Sequence, residues 1–67
     1  MKLTNLIKEM RTAMGLTQDN LAEKLEVSRQ TIISLEKGRY NPSLLLAFKM
    51  AKLFKCQIED VFNPEKE

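Results

Sequence analysis

Apolar residues recur at three- and four-residue spacing along most of this chain, which is the pattern of short amphipathic helices. The first predicted helix covers about Thr4 to Met14, and Gly15 follows it as a helix stop. Its apolar face is formed by Leu6, Ile7, Met10 and Met14. No segment has the alternating pattern of a strand of ordinary length.

The next two predicted helices are joined by a short turn. Thr17 and Ser28 precede them as N-cap residues, because a hydroxyl in that position accepts hydrogen bonds from free N–H groups of the first turn. The buried positions are Leu21, Ala22 and Leu25 in the second helix and Ile32 and Leu35 in the third. Ala22 lies where the two helices cross, so residues 18–37 are predicted to form a helix-turn-helix unit with a steep interhelical angle.

The rest of the chain predicts two more helices. The fourth follows its N-cap Ser43, runs to about Phe54 and is mainly apolar. Its solvent side carries Lys49, Lys52 and Lys55. The last helix is short, about residues 57–62, and its buried residues are Ile58 and Val61. The pattern therefore predicts one all-α domain over residues 1–67, with a short terminal β-ribbon between residues 1–3 and 61–63.

The residue types exclude several classes of protein. The chain has 67 residues, one Cys and no His. An intrachain disulfide, a Cys-based metal site and the usual nucleophile–base pairs therefore lack their components, and we expect no enzyme activity and no cofactor. Cys56 is expected to be a small buried hydrophobe rather than a redox sensor. With neither a signal peptide nor a membrane span in the pattern, a cytoplasmic protein is expected.

Basic residues are concentrated in one part of the chain. The net charge is only +2, but residues 28–55 contain six basic residues and one acidic residue, a net +5 that leaves −3 for the rest. Such a distribution presents an oriented field to a polyanion. An ordinary solvated surface could have the same composition, so charge alone does not decide between the two interpretations.

The third predicted helix opens with a row of hydrogen-bonding side chains, Ser28-Arg29-Gln30-Thr31. Its inward residues leave the opposite side facing outward, and that side carries Arg29, Gln30, Ile33 and Ser34. In the major groove of DNA each base pair presents its own pattern of donors and acceptors. The third helix is therefore a candidate recognition helix.

The stretch MGLTQDNLAEKLEVSRQTIISLEKGRYNPSL resembles the Cro/cI-type helix-turn-helix domain of bacterial and phage repressors. It is especially similar to compact single-domain members from bacteria and archaea. The likeness continues to IEDVF and so covers nearly the whole chain. The resemblance implies a five-helix Cro/cI repressor-like domain, a homodimer, and sequence-specific binding to an operator in double-stranded DNA.

The resemblance also implies roles for individual residues. The positions matching base contacts are Arg29, Gln30, Ser34 and Ile33. Arginine fits guanine and glutamine fits adenine with two hydrogen bonds, and Ile33 can meet a thymine methyl group. The positions matching contacts to the DNA backbone are Gln18, Ser28, Thr31, Lys37, Arg39, Tyr40 and Asn41. Contacts of this second kind set register without reading sequence.

Plainer interpretations stay open for several of these residues. Gln18 and Ser28 occupy helix starts, where they would cap a helix in any protein. Lys37 could be a cation that stabilises a helix C-terminus. Tyr40 could be an aromatic residue at the edge of the core, and Ile33 an isolated apolar residue on the surface.

A single small domain makes few contacts to DNA, which favours a dimer whose recognition helices are about 34 Å apart. The C-terminal segment, about residues 56–63, is the predicted interface. Its residues would be Phe62, Val61 and Ile58, together with Leu3. Ile58 and Val61 also close the core, so Phe62 is the main candidate.

Two residues depart from the family pattern. Glu26 stands in the turn where Gly is common, and a positive φ there would cost about 1 kcal/mol relative to Gly. Leu45 stands where a polar residue is usual. The leading hypothesis is a transcriptional repressor that binds a palindromic operator, with no evident small-molecule ligand. The alternative is a protein-interaction or antitoxin-like module, which an exposed apolar patch around Leu45 and Phe62 would favour.

Overall fold

Five short helices follow one another and are joined at the chain ends by a two-stranded ribbon. The computed structural model describes residues 3–39 and 41–64, except for the side chains of residues 3, 4, 63 and 64. The helices are α1 (Ile7–Ala13), α2 (Gln18–Leu25), α3 (Arg29–Glu36), α4 (Leu44–Leu53) and α5 (Ile58–Val61). The strands are β1 (Leu3–Asn5) and β2 (Phe62–Pro64). The predicted all-α class is confirmed.

Hydroxyl side chains start three of the helices, as predicted. Thr17 Oγ1 accepts a hydrogen bond from the Asn20 N–H at 3.0 Å, and the Asn20 amide oxygen accepts one from the Thr17 N–H at 3.1 Å. Ser28 and Ser43 accept bonds from Thr31 and Leu46 in the same way. Each cap satisfies an N–H group that has no partner within its helix, so the sequence fixes where these helices begin.

The predicted ribbon is present, with a different register. Asn5 lies opposite Phe62 and Thr4 opposite Asn63, so β1 begins at Leu3 instead of ending there. This pairing draws the C-terminal segment onto the core, and Phe62 is only 6% exposed. Neither Phe62 nor Val61 therefore offers an exposed side chain, and their role in a dimer interface stays a prediction. The side chain of Leu3 lies outside the described residues.

The core lies between the helices and includes the predicted inward residues of α2 and α3. Its fully buried side chains are Ile7, Leu21, Leu25, Ile32, Leu35, Met50 and Val61. The predicted apolar face of α1 is partly wrong, because Leu6 and Met14 are 43% and 48% exposed. Arg11 is buried on that helix instead, one turn after Ile7. Ile58 is half-buried and packs against the core.

Glu26 ends α2 in the left-handed conformation, with φ 60° and ψ 42°. An L side chain in this region is strained, whereas Gly adopts it freely. We expect Glu26→Gly to raise the free energy of unfolding by about 1 kcal/mol, which corresponds to about 4–8 °C in the melting temperature of a domain of this size. Thermal unfolding followed by circular dichroism measures the shift.

The control for this variant is Glu26→Gln, because Glu26 also forms an ion pair. Its Oε1 lies 3.3 Å from Lys49 Nζ, and the Glu26 side chain is largely exposed. Glu26→Gln removes that charge but keeps the Cβ, so the difference between the two variants isolates the backbone. Equal melting temperatures for Glu26→Gly and Glu26→Gln would show that the turn is not strained.

Candidate nucleic-acid interface

The close packing of α3 on α2 decides which side of α3 faces solvent. The two helices contact each other, and Ala22 of α2 is buried in the same core cluster as Ile32 and Leu35 of α3. A larger residue at position 22 would hold the helices apart. The turn between them contains only three residues, 26–28, so α3 is held at a fixed angle to α2.

The exposed side of α3 begins with two of the four residues that are predicted to contact bases. Arg29 and Gln30 are exposed, whereas Ile33 and Ser34 are half-buried. All four lie on one eight-residue helix. Because Arg29 and Gln30 occupy its first turn, a helix entering a groove with its N-terminal end would carry them deepest.

The N-cap of α3 uses two of the side chains predicted to contact the DNA backbone. Ser28 Oγ accepts a hydrogen bond from the Thr31 N–H at 3.2 Å, and the two hydroxyl oxygens lie 2.9 Å apart. These bonds hold the first turn of α3 in place before any ligand arrives. The structure thus gives Ser28 a capping role, which was the plainer of the two interpretations.

Gln18 is not the N-cap of α2, because Thr17 occupies that position. The Gln18 side chain forms a hydrogen bond to α3 instead. Its amide nitrogen donates a hydrogen bond to Glu36 Oε1 at 3.2 Å. Gln18 is half-buried, at the end of α2 where the helix dipole favours an anion. A phosphate at this position would meet both the dipole and the fixed Gln18 amide.

Glu36 belongs to a buried charged cluster that the sequence analysis missed. Arg11 Nε lies 2.7 Å from Glu36 Oε2, and the two side chains are only 10% and 7% exposed. Arg11 also donates to the Leu16 carbonyl oxygen at 3.0 Å. The cluster joins α1, α2 and α3 beside the candidate interface. A signal was present in the sequence, because Arg11 falls one turn after Ile7 on the apolar face of its helix.

An open groove of about 590 Å³ lies beside the start of α3. It is lined by Lys8, Thr12 and Thr17 together with Asp19 and Arg29. Asp19 Oδ1 lies 3.8 Å from Arg29 Nε, and both side chains are mostly exposed. The side chain assigned to base contact therefore lies beside an acid on the neighbouring helix.

Basic and polar residues follow directly after α3. Lys37 is the C-cap residue of α3, and the chain turns at Gly38, where φ is 69°. The Arg39 N–H donates to the Ser34 carbonyl oxygen at 3.0 Å, which folds the loop back against the helix. Lys37, Arg39 and Asn41 are exposed and available to phosphates. Tyr40 lies outside the described residues.

Other chemistry has little support in the described part of the chain. Burial, together with the charge of Asp60, raises the pKa of the Cys56 thiol. This thiol is therefore protonated at neutral pH, which fits a packing role better than a redox role. Within residues 3–39 and 41–64, no group of His, Cys, Asp or Glu could hold a metal ion, and no helix is long and apolar enough to cross a membrane.

The comparison with known proteins agrees with this geometry. A family model described as helix-turn-helix matches residues 7–61. The chain belongs to the helix-turn-helix family. This helix-turn-helix chain is 58% identical over 65 residues to an uncharacterized HTH-type transcriptional regulator of Methanocaldococcus jannaschii, covering 97% of this chain and 98% of the relative.

Two further matches place the chain among regulators. It is 37% identical over 59 residues to the immunity repressor protein of Bacillus phage phi105, covering 88% of this chain and 41% of that repressor. The crystal structure of a restriction-modification controller protein from Aeromonas hydrophila superposes with a TM-score of 0.71 at 32% identity, covering 79% of this chain and 80% of that one.

The matches confirm the Cro/cI-type fold and the assignment to a family of transcriptional regulators. This family is not enzymatic. The helix-turn-helix unit predicted over residues 18–37 corresponds to α2, the turn and α3.

Proposed function

We propose that the protein is a sequence-specific transcriptional regulator that binds a palindromic operator as a homodimer. The observation that carries this proposal is the exposed first turn of α3, where Arg29 and Gln30 project from a helix fixed by its N-cap and by its packing on α2. Preorganised donors and acceptors of this kind suit the edges of bases in the major groove.

The proposed contacts fall into two groups. Arg29 and Gln30 read bases, with Ser34 and Ile33 one turn further along the helix. Gln18, Lys37, Arg39 and Asn41 contact phosphates on either side and set the register of α3. Ser28 and Thr31 keep the first turn rigid, and their remaining hydrogen-bonding capacity is available to the DNA backbone. Tyr40 and the side chain of Leu3 stay predictions.

A homodimer needs an interface of exposed side chains. Because Phe62 and Val61 are buried, the C-terminal segment presents little exposed apolar surface. Three large apolar side chains of α4 are better placed. Leu44, Leu45 and Phe48 are 69%, 67% and 56% exposed. Residues three and four apart on a helix are neighbours, so the three form one patch, named here the α4 apolar surface. We propose that a second copy covers it, with Ile58 at its edge.

Leu45→Gln is expected to weaken this dimer. An apolar residue at the centre of an interface contributes about 1–2 kcal/mol, so the dissociation constant should rise about tenfold. Sedimentation equilibrium at micromolar concentrations measures it. Met14→Gln is the matched control, because Met14 is an exposed apolar residue outside the α4 apolar surface. The proposed interface would be wrong if both variants associated as the wild-type protein does.

The α4 apolar surface also favours a second candidate function, in which the fold masks another protein. The two candidates differ in what the protein does alone. A regulator dimerises and selects one DNA site, whereas an interaction module stays monomeric and binds DNA weakly in the absence of its partner. A monomer whose DNA binding is unchanged in Leu45→Gln would favour the second function.

Selection of duplexes from a random pool tests the main proposal. We expect an inverted repeat whose half-sites are one helical turn apart. Binding of a non-selected duplex should be much weaker and should fall steeply with salt. Association that depends on ionic strength but not on sequence would overturn the proposal. We propose repression rather than activation, because a protein that only blocks a promoter needs no surface for contacting the transcription machinery. The protein would act in the cytoplasm.

A further inference from the structure

Asp19 is the acidic residue whose side chain pairs with the start of the recognition helix. It is the second residue of α2, and Arg29 is the first residue of α3. Their closest charged atoms, Asp19 Oδ1 and Arg29 Nε, lie 3.8 Å apart. Both side chains are mostly exposed, at 73% and 62%, so the pair contributes little to stability.

The backbone on either side of this pair is fixed by helix caps and by the packing of α3 on α2. Thr17 caps α2 just before Asp19, and Ser28 caps α3 just before Arg29. The two helices pack against each other, and Ala22 is buried in the core that they share. The separation of 3.8 Å between Asp19 Oδ1 and Arg29 Nε shows that the first turns of α2 and α3 lie close enough for the two side chains to meet.

In the groove beside α3, Asp19 is the acid that pairs with Arg29. Among the described residues lining the neighbouring groove, the charged side chains are Lys8, Arg11, Asp19 and Arg29. Arg11 is occupied by Glu36. Lys8 would repel the guanidinium. A carboxylate at Nε leaves the two terminal nitrogens of Arg29 free, and those are the donors that can engage guanine O6 and N7 end-on.

We propose that Asp19 is a specificity-determining residue, which fixes the guanidinium of Arg29 so that it presents its terminal nitrogens to guanine. This inference rests on the proposed function. It assigns Asp19 a positioning role, since its carboxylate contacts Arg29 and no base. Asp19 also lies in the first turn of α2, where any acid interacts favourably with the helix dipole. That second effect changes helix stability but not the preference between bases.

The test compares Asp19→Asn with Glu23→Gln, two variants that each remove one negative charge from α2. Glu23 is exposed and lies one turn further along the helix. Binding is measured to the selected duplex and to duplexes carrying each other base at the position where Arg29→Ala loses discrimination. Both variants should bind all duplexes more tightly, because each loses an acid near the phosphates. Only Asp19→Asn should reduce the preference for guanine, by about two- to fivefold.

The outcomes separate this inference from the proposed function. If Arg29→Ala discriminates between bases as well as the wild-type protein at every position of the duplex, the proposed function fails. If wild-type protein discriminates and Asp19→Asn discriminates equally well, the role of Asp19 is wrong while the proposed function stands. Adding Asp19→Asn to Arg29→Ala should cause no further loss of discrimination. A further loss in that double variant would mean that Asp19 acts through another residue.

Discussion

Glu36→Ala is expected to lower the free energy of unfolding by about 3–5 kcal/mol, because it leaves Arg11 buried without its partner. The Arg11 guanidinium is held by two Glu36 oxygens, at 2.7 and 3.3 Å, and both side chains are almost fully buried. A loss of this size is a large part of the stability of a small domain. Chemical denaturation followed by circular dichroism measures it.

Two further variants identify the cause of that loss. Lys49→Gln breaks the solvent-exposed pair with Glu26 and should cost less than about 1 kcal/mol. The double variant Arg11→Met with Glu36→Leu removes both buried charges and should recover much of the stability, since an apolar pair needs no desolvation of charge. A small loss in Glu36→Ala, comparable to that in Lys49→Gln, would show that Arg11 reaches water when its partner is gone.

Arg29→Ala is expected to cost about 1–3 kcal/mol of binding free energy at each half-site and to relax preference at one base position. The reason is the loss of a bidentate contact from the first turn of α3. Fluorescence anisotropy with the selected duplex and its single-base variants measures both effects. The fold should be unaffected, because the Arg29 side chain is exposed and its ion pair is weak.

Lys37→Ala is the comparison for Arg29→Ala. Lys37 lies at the other end of α3 and is assigned to phosphate, so its loss should weaken all duplexes alike and reduce the salt dependence. The two variants therefore differ in pattern even if they lose similar affinity. If Arg29→Ala weakened binding to all duplexes equally, the assignment of base contacts to the start of α3 would be wrong.

Local rules allowed most of the fold to be predicted from sequence. Hydroxyl caps at Thr17, Ser28 and Ser43 mark helix starts by bonds within a single turn, so no knowledge of the rest of the chain is needed. The spacing of apolar residues in α2 and α3 likewise identified the side chains that are buried in the core. The exposed positions of Arg29 and Gln30 follow from that burial, which is why the candidate interface could be located.

The failures depend on contacts between distant parts of the chain. The sequence analysis made no prediction for Arg11, because charged residues are rarely buried and the partner that compensates its charge, Glu36, is 25 residues away. Phe62 was expected at the surface, but the register of the ribbon places it in the core. Periodicity could not identify which apolar residues of α4 remain uncovered, because that depends on where α4 contacts the other helices.

The ribbon between β1 and β2 has a consequence for how the chain folds. Its paired residues, such as Asn5 and Phe62, are separated by almost the full length of the chain, whereas the helices and the α2–α3 packing form between near neighbours. Closing so long a loop has a larger entropic cost than forming local contacts. We therefore expect the pairing of β1 with β2 to form late in folding, after the local helices have assembled.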